Sequence, residues 1–309
     1  MSGAVSVALC THNGERHLRA QLDSISGQEL SPAELVACDD VSTDGTIEIL
    51  EAFAREAPFP VRVTRNAERL GPAKNYEQAI GLCGGDFIAL ADQDDVWLPG
   101  KLQRLMEAIE RGGAAYAFSD ARLIDADGHD VPGKTLLARR FSPASIDRAF
   151  RAHREQDLLL KRDFIYGTTL LLRSEHRDLV LPIAQGWSHD PWIVNVLALL
   201  GYGGAAVPEP LVLYRQHAVQ ASGGFAAPTP VSYPERVLAY EALRTHLHAV
   251  SARTGRPAPP GAMSRVDDKM RYLRALVEME VARQPRKALM GAREIIAGRW
   301  RRYSPRTFG

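Results

Sequence analysis

Three carboxylates follow an apolar run within four residues. The run Phe87–Ala91 is typical of a buried strand, and Asp92, Asp94 and Asp95 come directly after it. Like charges held this close raise one another's pKa unless a positive group lies among them. In an extended chain Asp92 and Asp94 lie on one side, and two such oxygen donors suit Mg²⁺ or Mn²⁺, which shares a phosphate-bearing ligand. A polar turn that caps the next helix is the structural alternative.

Apolar strands separated by helices are indicated in the first part of the chain, residues 1–120. The strands are VSVALC, ELVACDD, VRVT and DFIALAD. Such alternation predicts a largely parallel sheet with helices on both faces, and ligands of these sheets bind outside the carboxyl ends of the strands. Polar loops follow all of these strands: THNGE, DDVSTDGT, RNAERLG and DQDD. We therefore expect these loops to line one site.

The first two loops carry polar side chains but not the glycine pattern of a dinucleotide-binding protein. CTHNGE contains no G-x-G-x-x-G, which disfavours a Rossmann dehydrogenase. Thr11, Asn13 and Glu15 offer a hydroxyl, an amide and a carboxylate where a helix begins, and helix capping is their structural alternative. Asp40 lies directly at a strand end, where it could accept a hydrogen bond from a base or a ribose.

The remainder of the chain shows weaker patterns. Residues 121–166 are charged and irregular apart from a helical pattern over Ser142–Arg154. Regular apolar patterns follow in GTTLLLR, in a predicted helix around Trp192–Leu200 and in the predicted strand LVLYR. ASGGFAAPTPVSYP is typical of a linker, and Pro234–Arg302 is predicted to form helices, two of them separated by RTGRPAPPGAM.

Composition restricts the class of protein but names no partner. The 309 residues carry 38 Lys and Arg against 37 Asp and Glu, so charge gives no sign of a polyanionic partner, and we expect no nucleic-acid binding. Three cysteines without a metal-binding spacing favour a reducing, cytoplasmic location. Neither a signal peptide nor a membrane span is indicated.

Several motifs occur together in one order: VSVALCTHNGERHL, DDVSTDGT, NAERLGPAKN and ADQDDVW, followed by HDPW and YRQH. Over Val5–His217 this composite resembles the inverting family 2 glycosyltransferases, and more narrowly the bacterial rhamnosyltransferase-like enzymes. The resemblance implies an α/β protein of GT-A fold, with a Rossmann-like, mostly parallel central sheet flanked by helices and a helical C-terminal extension. It implies a nucleotide-sugar-binding half (residues 1–120), an acceptor-binding half of the same domain (121–222) and a helical C-terminal region (223–309).

The resemblance also implies roles for individual residues. Polar side chains would bind the nucleotide sugar: Thr11, Asn13, Glu15, Asp40, Lys74, Asn75, Asp92, Gln93 and Arg215. Asp94 would bind Mg²⁺ or Mn²⁺ at the diphosphate, with His217 as a second ligand, whereas Asp95 receives no role. The donor would be a UDP- or dTDP-linked sugar. The acceptor would be a saccharide or a lipid-linked saccharide in cell-surface polysaccharide synthesis.

Asp190 occupies the position of the family's acceptor-activating base. An inverting transfer needs one base that takes the proton of the acceptor hydroxyl as its oxygen attacks the anomeric carbon. Asp190 followed by Pro191 also matches a helix N-cap with proline at the first helical position, which would weaken the carboxylate as a base. His189 is the second candidate for the base.

Basic and aromatic residues are interleaved from Val281 to the last residue. This pattern is typical of peripheral contact with an anionic membrane surface, here the inner face of the cytoplasmic membrane. A solvated helix face whose aromatic side packs on the body of the protein produces the same pattern.

Two other functions stay open from the sequence. ALADQDDV superficially matches the strand-end motif of the haloacid-dehalogenase-type phosphatases, although three βα units precede it here. A non-catalytic saccharide-binding protein on a GT-A scaffold is the other alternative. The oligomeric state is not indicated.

Overall fold

The computed structural model describes residues 3–217, residues 232–282 and Tyr303. These residues contain the strands β1 (Val5–Thr11), β2 (Glu34–Asp39), β3 (Val61–Arg65), β4 (Phe87–Asp92), β5 (Val96–Trp97), β6 (Tyr116–Ile124), β7 (Leu170–Arg173) and β8 (Gly204–Arg215). The helices are α1 (Glu15–Ser26), α2 (Thr46–Glu56), α3 (Pro72–Leu82), α4 (Lys101–Gly112), α5 (Pro143–Arg151), α6 (Gln156–Leu159), α7 (Arg177–Val180), α8 (His189–Leu199), α9 (Tyr233–Thr254) and α10 (Ala262–Ala282).

All of these strands form one sheet in the order β3-β2-β1-β4-β7-β6-β8-β5. Strands β1 to β4 pair in parallel, as their alternation with helices predicts. The second half is mixed, because β7 is antiparallel to β4 and β6, and β5 is antiparallel to β8. Strands β6 and β8 are parallel to each other and run in the same direction as β4. The carboxyl end of β8 therefore lies at the same edge as those of β1, β2 and β4.

Alternate residues of the central strands pack into a hydrophobic core on each face of the sheet. One face, which includes Val7 and Leu9 of β1, packs against α1, α2 and α4. The other face, which includes Ala8 of β1 and Leu90 of β4, packs against α3, α8, α9 and α10. The sheet thus separates the helix that follows the acidic loop from the helix that carries Asp190.

One central strand was not predicted. Strand β6 lies between β7 and β8, and Tyr116 and Phe118 within it are fully buried. Ser119 and Asp120 interrupt its apolar pattern, and the pairing with β8 shifts register at this point. Asp120 Oδ1 accepts hydrogen bonds from the amides of Ala121 and Leu137, which satisfies the buried carboxylate.

Helices α9 and α10 confirm the predicted helical extension. Helix α9 begins with a capping box between Ser232 and Glu235, and the predicted RTGRPAPPGAM break separates the two helices. Most of the predicted linker and nearly all of the basic end fall on residues 218–231 and 283–309, outside the described residues apart from Tyr303. None of the helices in the described ranges is long and apolar enough to span a membrane.

Candidate active site

The loops after β1 and β2 are bonded to each other through residues predicted to bind the nucleotide. The Thr11 hydroxyl donates to the buried carboxylate of Asp39 at 2.9 Å. Asn13 and Glu15, both exposed, accept hydrogen bonds from backbone amides of the second loop at 2.9 and 3.0 Å. The three predicted residues therefore lie together at the edge of the sheet and fix the relative position of the two loops.

Asp40 has a structural role that its sequence context did not indicate. One carboxylate oxygen accepts hydrogen bonds from Asn66 Nδ2 at 3.0 Å and the Leu70 amide at 2.7 Å, and the other accepts one from the Gly71 amide at 2.8 Å. Burial raises the pKa of Asp40, but these hydrogen bonds outweigh it and leave the pKa below its usual value. The carboxylate thus stays ionised and holds the loop after β3 against the end of β2.

Asn75 and Lys74, which are neighbours in α3, point to different surroundings. The Asn75 side chain is buried, donates to the Cys38 carbonyl at 2.8 Å and so ties α3 to β2. Lys74 Nζ donates to Glu77 at 2.7 Å and to the Ile183 carbonyl at 3.0 Å. Lys74 keeps about half of its side chain exposed, so its ammonium remains accessible to a ligand.

Asp92 and Gln93 are held by neighbouring loops. Tyr76 donates its hydroxyl to Asp92 Oδ1 at 2.7 Å. Burial, and after it the charge of Asp94, raises the pKa of Asp92 to about 6. Gln93 accepts from the His12 amide at 2.8 Å and donates to the His12 carbonyl at 3.0 Å, so it faces the β1 loop.

Asp94 and His217 are brought together from positions that are far apart in the sequence. Asp94 Oδ2 lies 2.7 Å from His217 Nε2, and the side chains are only 13% and 11% exposed. Nδ1 of His217 is buried without a hydrogen-bond partner among the described residues. This part of the chain has no group of three or more His, Cys, Asp or Glu side chains placed to bind a metal ion. The pair offers two donor atoms, fewer than a divalent ion needs, so an ion held here would take its other ligands from outside these two residues.

His17 is a site residue that the sequence reasoning missed. Its ring lies 5.3 Å from the ring of His217, and burial, followed by the charge of Arg215, lowers its pKa to about 4. The neutral imidazole therefore adds a polar group beside the Asp94–His217 pair. In the sequence, only its position in the first turn of α1, directly after the first polar loop, could have indicated a site residue.

Two basic side chains lie beside the acidic loop. Arg215 donates through Nε to the Asp94 carbonyl at 2.7 Å, and through Nη1 to the carbonyls of Asp125 and Ala126 at 3.2 Å. The predicted phosphate partner is therefore bonded to three backbone carbonyls. The second basic side chain, Lys101, is completely buried near Asp95 and Asp92. Burial lowers its pKa well below the usual value, and the two carboxylates oppose that shift.

Asp190 lies in the first turn of α8. The helix begins at His189 and its N-cap residue is Ser188, so the interpretation of Asp190 as the N-cap is wrong. Asp190 Oδ2 accepts a hydrogen bond from the Gly167 amide at 3.2 Å. Burial, together with the charges of Asp163 and Asp92, raises the pKa of Asp190 well above its usual value. An ionised carboxylate in such surroundings has a high proton affinity, as a general base requires.

Tyr76 connects the acidic loop to the start of α8. Its ring stacks on His189 with 3.6 Å between the ring centroids, and its hydroxyl is bonded to Asp92. His189 fits there because Gly167 has no side chain, since a Cβ at this position would lie 2.3 Å from His189 Nε2. Burial lowers the pKa of His189 to about 3, which makes it a poor base, and neither ring nitrogen has a hydrogen-bond partner among the described residues.

The fold and the site together define an α/β protein whose strand ends gather an acidic loop, with a separate buried carboxylate at a helix start. The model of glycosyl transferase family 2 matches residues 6–177, more than half of the chain, and the chain belongs to this family.

Two solved structures share the fold. S. aureus TarS 1-349 in complex with UDP-GlcNAc has a TM-score of 0.61 and 16% identity, over 93% of this chain and 78% of that one. The mannosyltransferase PcManGT from Pyrobaculum calidifontis, in complex with GDP-Man and Mn²⁺, has a TM-score of 0.55 and 17% identity, over 96% and 81% of the two chains. The predicted GT-A fold with C-terminal helices is confirmed.

The curated relatives of similar sequence include uncharacterized proteins and glycosyltransferases. An uncharacterized protein of Mycobacterium tuberculosis is 28% identical over 222 residues, which cover 69% of this chain and 59% of the relative, so the chain spans about three fifths of that protein. The dTDP-rhamnosyl transferase RfbG of Shigella flexneri is 25% identical over 68% of this chain and 71% of its own. The putative glycosyltransferase EpsE of Bacillus subtilis is 32% identical over 57% and 58%.

Proposed function

We propose that the chain is an inverting glycosyltransferase. It transfers a sugar, a deoxyhexose such as rhamnose, from a UDP- or dTDP-linked donor to a saccharide or lipid-linked saccharide in cell-surface polysaccharide synthesis. The reaction takes place in the cytoplasm, with peripheral contact at the inner face of the membrane through the basic C-terminal end, whose residues lie almost entirely outside the described ranges.

The observation that carries this proposal is the placement of two acids near one stacked pair of rings. Asp92 is bonded to the Tyr76 hydroxyl, and Asp190 adjoins His189, which stacks on the Tyr76 ring. The two carboxylates are close enough for Asp92 to raise the pKa of Asp190. A donor bound at the acidic loop would thus present its sugar next to a carboxylate that does not belong to the metal-binding pair.

The chemistry follows from this separation. Asp190 takes the proton of the acceptor hydroxyl while its oxygen forms a bond to the anomeric carbon from the face opposite the diphosphate. The bond between the anomeric carbon and the diphosphate oxygen breaks in the same displacement, so the configuration inverts and no covalent enzyme intermediate is needed. Asp190 is the better candidate for the base, since His189 is buried and its pKa lies about 3.

Asp94 and His217 would hold Mg²⁺ or Mn²⁺, which would stabilise the negative charge on the departing diphosphate. The remaining predicted residues surround the nucleotide: Thr11, Asn13, Glu15, Asp40, Lys74, Asn75, Asp92, Gln93 and Arg215. Those with accessible side chains, such as Asn13, Glu15 and Lys74, would contact the donor directly, whereas Asp40, Asn75 and Arg215 would hold the loops that surround it. The complexes of TarS with UDP-GlcNAc and of PcManGT with GDP-Man and Mn²⁺ support a nucleotide sugar and a divalent ion, and the name of RfbG supports a dTDP-linked deoxyhexose.

The test is a release assay. The protein is incubated with Mn²⁺, UDP- and dTDP-linked sugars including dTDP-rhamnose, and a panel of saccharide acceptors, and the free nucleoside diphosphate is measured. We expect release that depends on the acceptor, and a loss of about 10²- to 10⁴-fold in Asp190→Asn. The anomeric configuration of the product, measured by NMR, should be opposite to that of the donor. Retention of configuration, or full turnover in Asp190→Asn, would contradict the mechanism.

The same assay separates the competing functions. Membership of glycosyl transferase family 2 over residues 6–177 argues against a haloacid-dehalogenase-type phosphatase, which would release phosphate without an acceptor. A non-catalytic saccharide-binding protein would bind nucleotide or saccharide equally in the wild type and in Asp190→Asn, and neither would release a diphosphate.

A further inference from the structure

We propose that Asp95 is a positioning residue that holds Asp94 and His217 in contact with each other. The inference rests on the proposed function only in so far as Asp94 and His217 bind the donor's metal ion. The two residues come from different loops, and their side chains meet at 2.7 Å. Some contact between the loops must therefore set this distance.

Asp95 makes that contact. Its side chain is completely buried, and Oδ1 accepts a hydrogen bond from the Arg215 amide at 2.9 Å. Asp95 directly follows Asp94, and Arg215 lies two residues before His217. The bond therefore joins the acidic loop to the end of β8 immediately beside both candidate ligands. The Arg215 guanidinium closes the same connection from the other side, because Nε donates to the Asp94 carbonyl at 2.7 Å.

The neighbouring strands extend this connection. Strand β5 follows Asp95 directly and pairs antiparallel with β8, with Val96 opposite Leu213 and Trp97 opposite Val212. Strand β5 has only two residues, so this pairing alone gives the acidic loop little support. The hydrogen bonds of the Arg215 amide to Asp95 and of Arg215 Nε to the Asp94 carbonyl attach the loop itself to the end of β8.

The experiment uses the full-length protein and the variants Asp95→Ala and Asp95→Asn. Asp147→Asn is the control, since Asp147 is an exposed acid that pairs with Arg151 on its own helix. Binding of UDP and of dTDP is measured by calorimetry with and without Mn²⁺. Histidine-selective ¹⁵N NMR, with the His217 signals assigned from His217→Gln, reports the Asp94–His217 contact without any ligand.

Asp95→Ala should shift the His217 signals and weaken Mn²⁺-dependent binding by about 3- to 10-fold, the effect of losing one hydrogen bond. Binding without Mn²⁺ should change little. A general loss of structure would instead weaken binding with and without Mn²⁺ alike. Asp95→Asn keeps an acceptor for the Arg215 amide and should have the smaller effect, so it tests the inference if the alanine variant fails to fold.

Unchanged His217 signals and wild-type Mn²⁺ dependence in both Asp95 variants would overturn the inference. A wild-type protein that binds neither nucleotide would instead refute the proposed function, and the NMR measurement would still decide the role of Asp95.

Discussion

Replacement of Tyr76 by Phe removes one buried hydroxyl from the contact between the acidic loop and the start of α8. Tyr76 is 2% exposed, its hydroxyl lies 2.7 Å from Asp92 Oδ1 and 2.6 Å from the Ala91 carbonyl, and its ring stacks on His189. The phenylalanine ring keeps the stacking, so the substitution removes only the hydroxyl and its contacts with Asp92 and the Ala91 carbonyl.

The expected magnitude follows from the charge of the acceptor. At pH 7.5 Asp92 is ionised, because its pKa is raised only to about 6. A hydrogen bond to a charged group contributes about 1.5–3 kcal/mol, and the buried oxygen left without its donor is not compensated by water. We therefore expect Tyr76→Phe to lower the free energy of unfolding by about 1.5–3 kcal/mol. If Asp92 helps to orient the donor, kcat/KM for the donor should fall as well.

Tyr116→Phe is a matched control. Tyr116 is also completely buried, but its hydroxyl has no hydrogen-bond partner in the described part of the chain. Removal of a hydroxyl that is buried without a partner should leave the stability unchanged or raise it. Urea unfolding at pH 7.5 measures both variants, and the release assay measures donor kinetics. Equal changes in the two variants would refute the reasoning, because they would show that the Tyr76–Asp92 hydrogen bond contributes nothing.

Three further substitutions test other parts of the structure. Burial lowers the pKa of Lys269 from 10.5 to about 7, so between these pH values only the unfolded chain holds the proton. The free energy of unfolding should therefore rise with pH over this window. Below pH 7 the protonated lysine lowers the free energy of unfolding by the full amount, about 5 kcal/mol. Lys269→Met should therefore be more stable than the wild type at pH 6 and lose this advantage towards pH 10, as measured by urea unfolding. Gly167→Ala places a Cβ 2.3 Å from His189 Nε2 and should lower turnover through Asp190 more than nucleotide binding, as measured by kcat and by calorimetry. Asp40→Asn puts an amide donor opposite backbone N–H groups and should cost about 1–3 kcal/mol in unfolding experiments.

Each of these expectations has an outcome that would contradict it. A stability difference between Lys269→Met and the wild type that does not change with pH would show that the ammonium is not buried as described. Gly167→Ala with normal turnover would show that α8 can move without displacing the base. Wild-type stability in Asp40→Asn would show that the loop after β3 is held by other contacts.

Much of the fold and part of the site could be predicted from local sequence. The apolar runs of β1, β2 and β4 are continuous because both faces of these strands are buried, and the polar loops that follow them lie at one edge because parallel strands share their direction. The position of Asp92 and Asp94 at this edge could be predicted because Asp92 ends β4, a strand with a continuous apolar run, and Asp94 follows it. Strand β6 was missed because Ser119 and Asp120 are buried polar residues, and one of the amides that bond the Asp120 carboxylate, that of Leu137, comes from a later segment of the chain.

The partners of the site residues were decided only by the tertiary structure. The acidic cluster required a positive group, but local sequence could not show that Lys101 enters it from the next helix and Arg215 from the end of β8. Asp94 and His217 meet although 123 positions separate them, because two strands that are distant in the sequence end at the same edge of the sheet. Periodicity shows which face of an element is buried, whereas a side chain's partner depends on which loops the sheet order brings together.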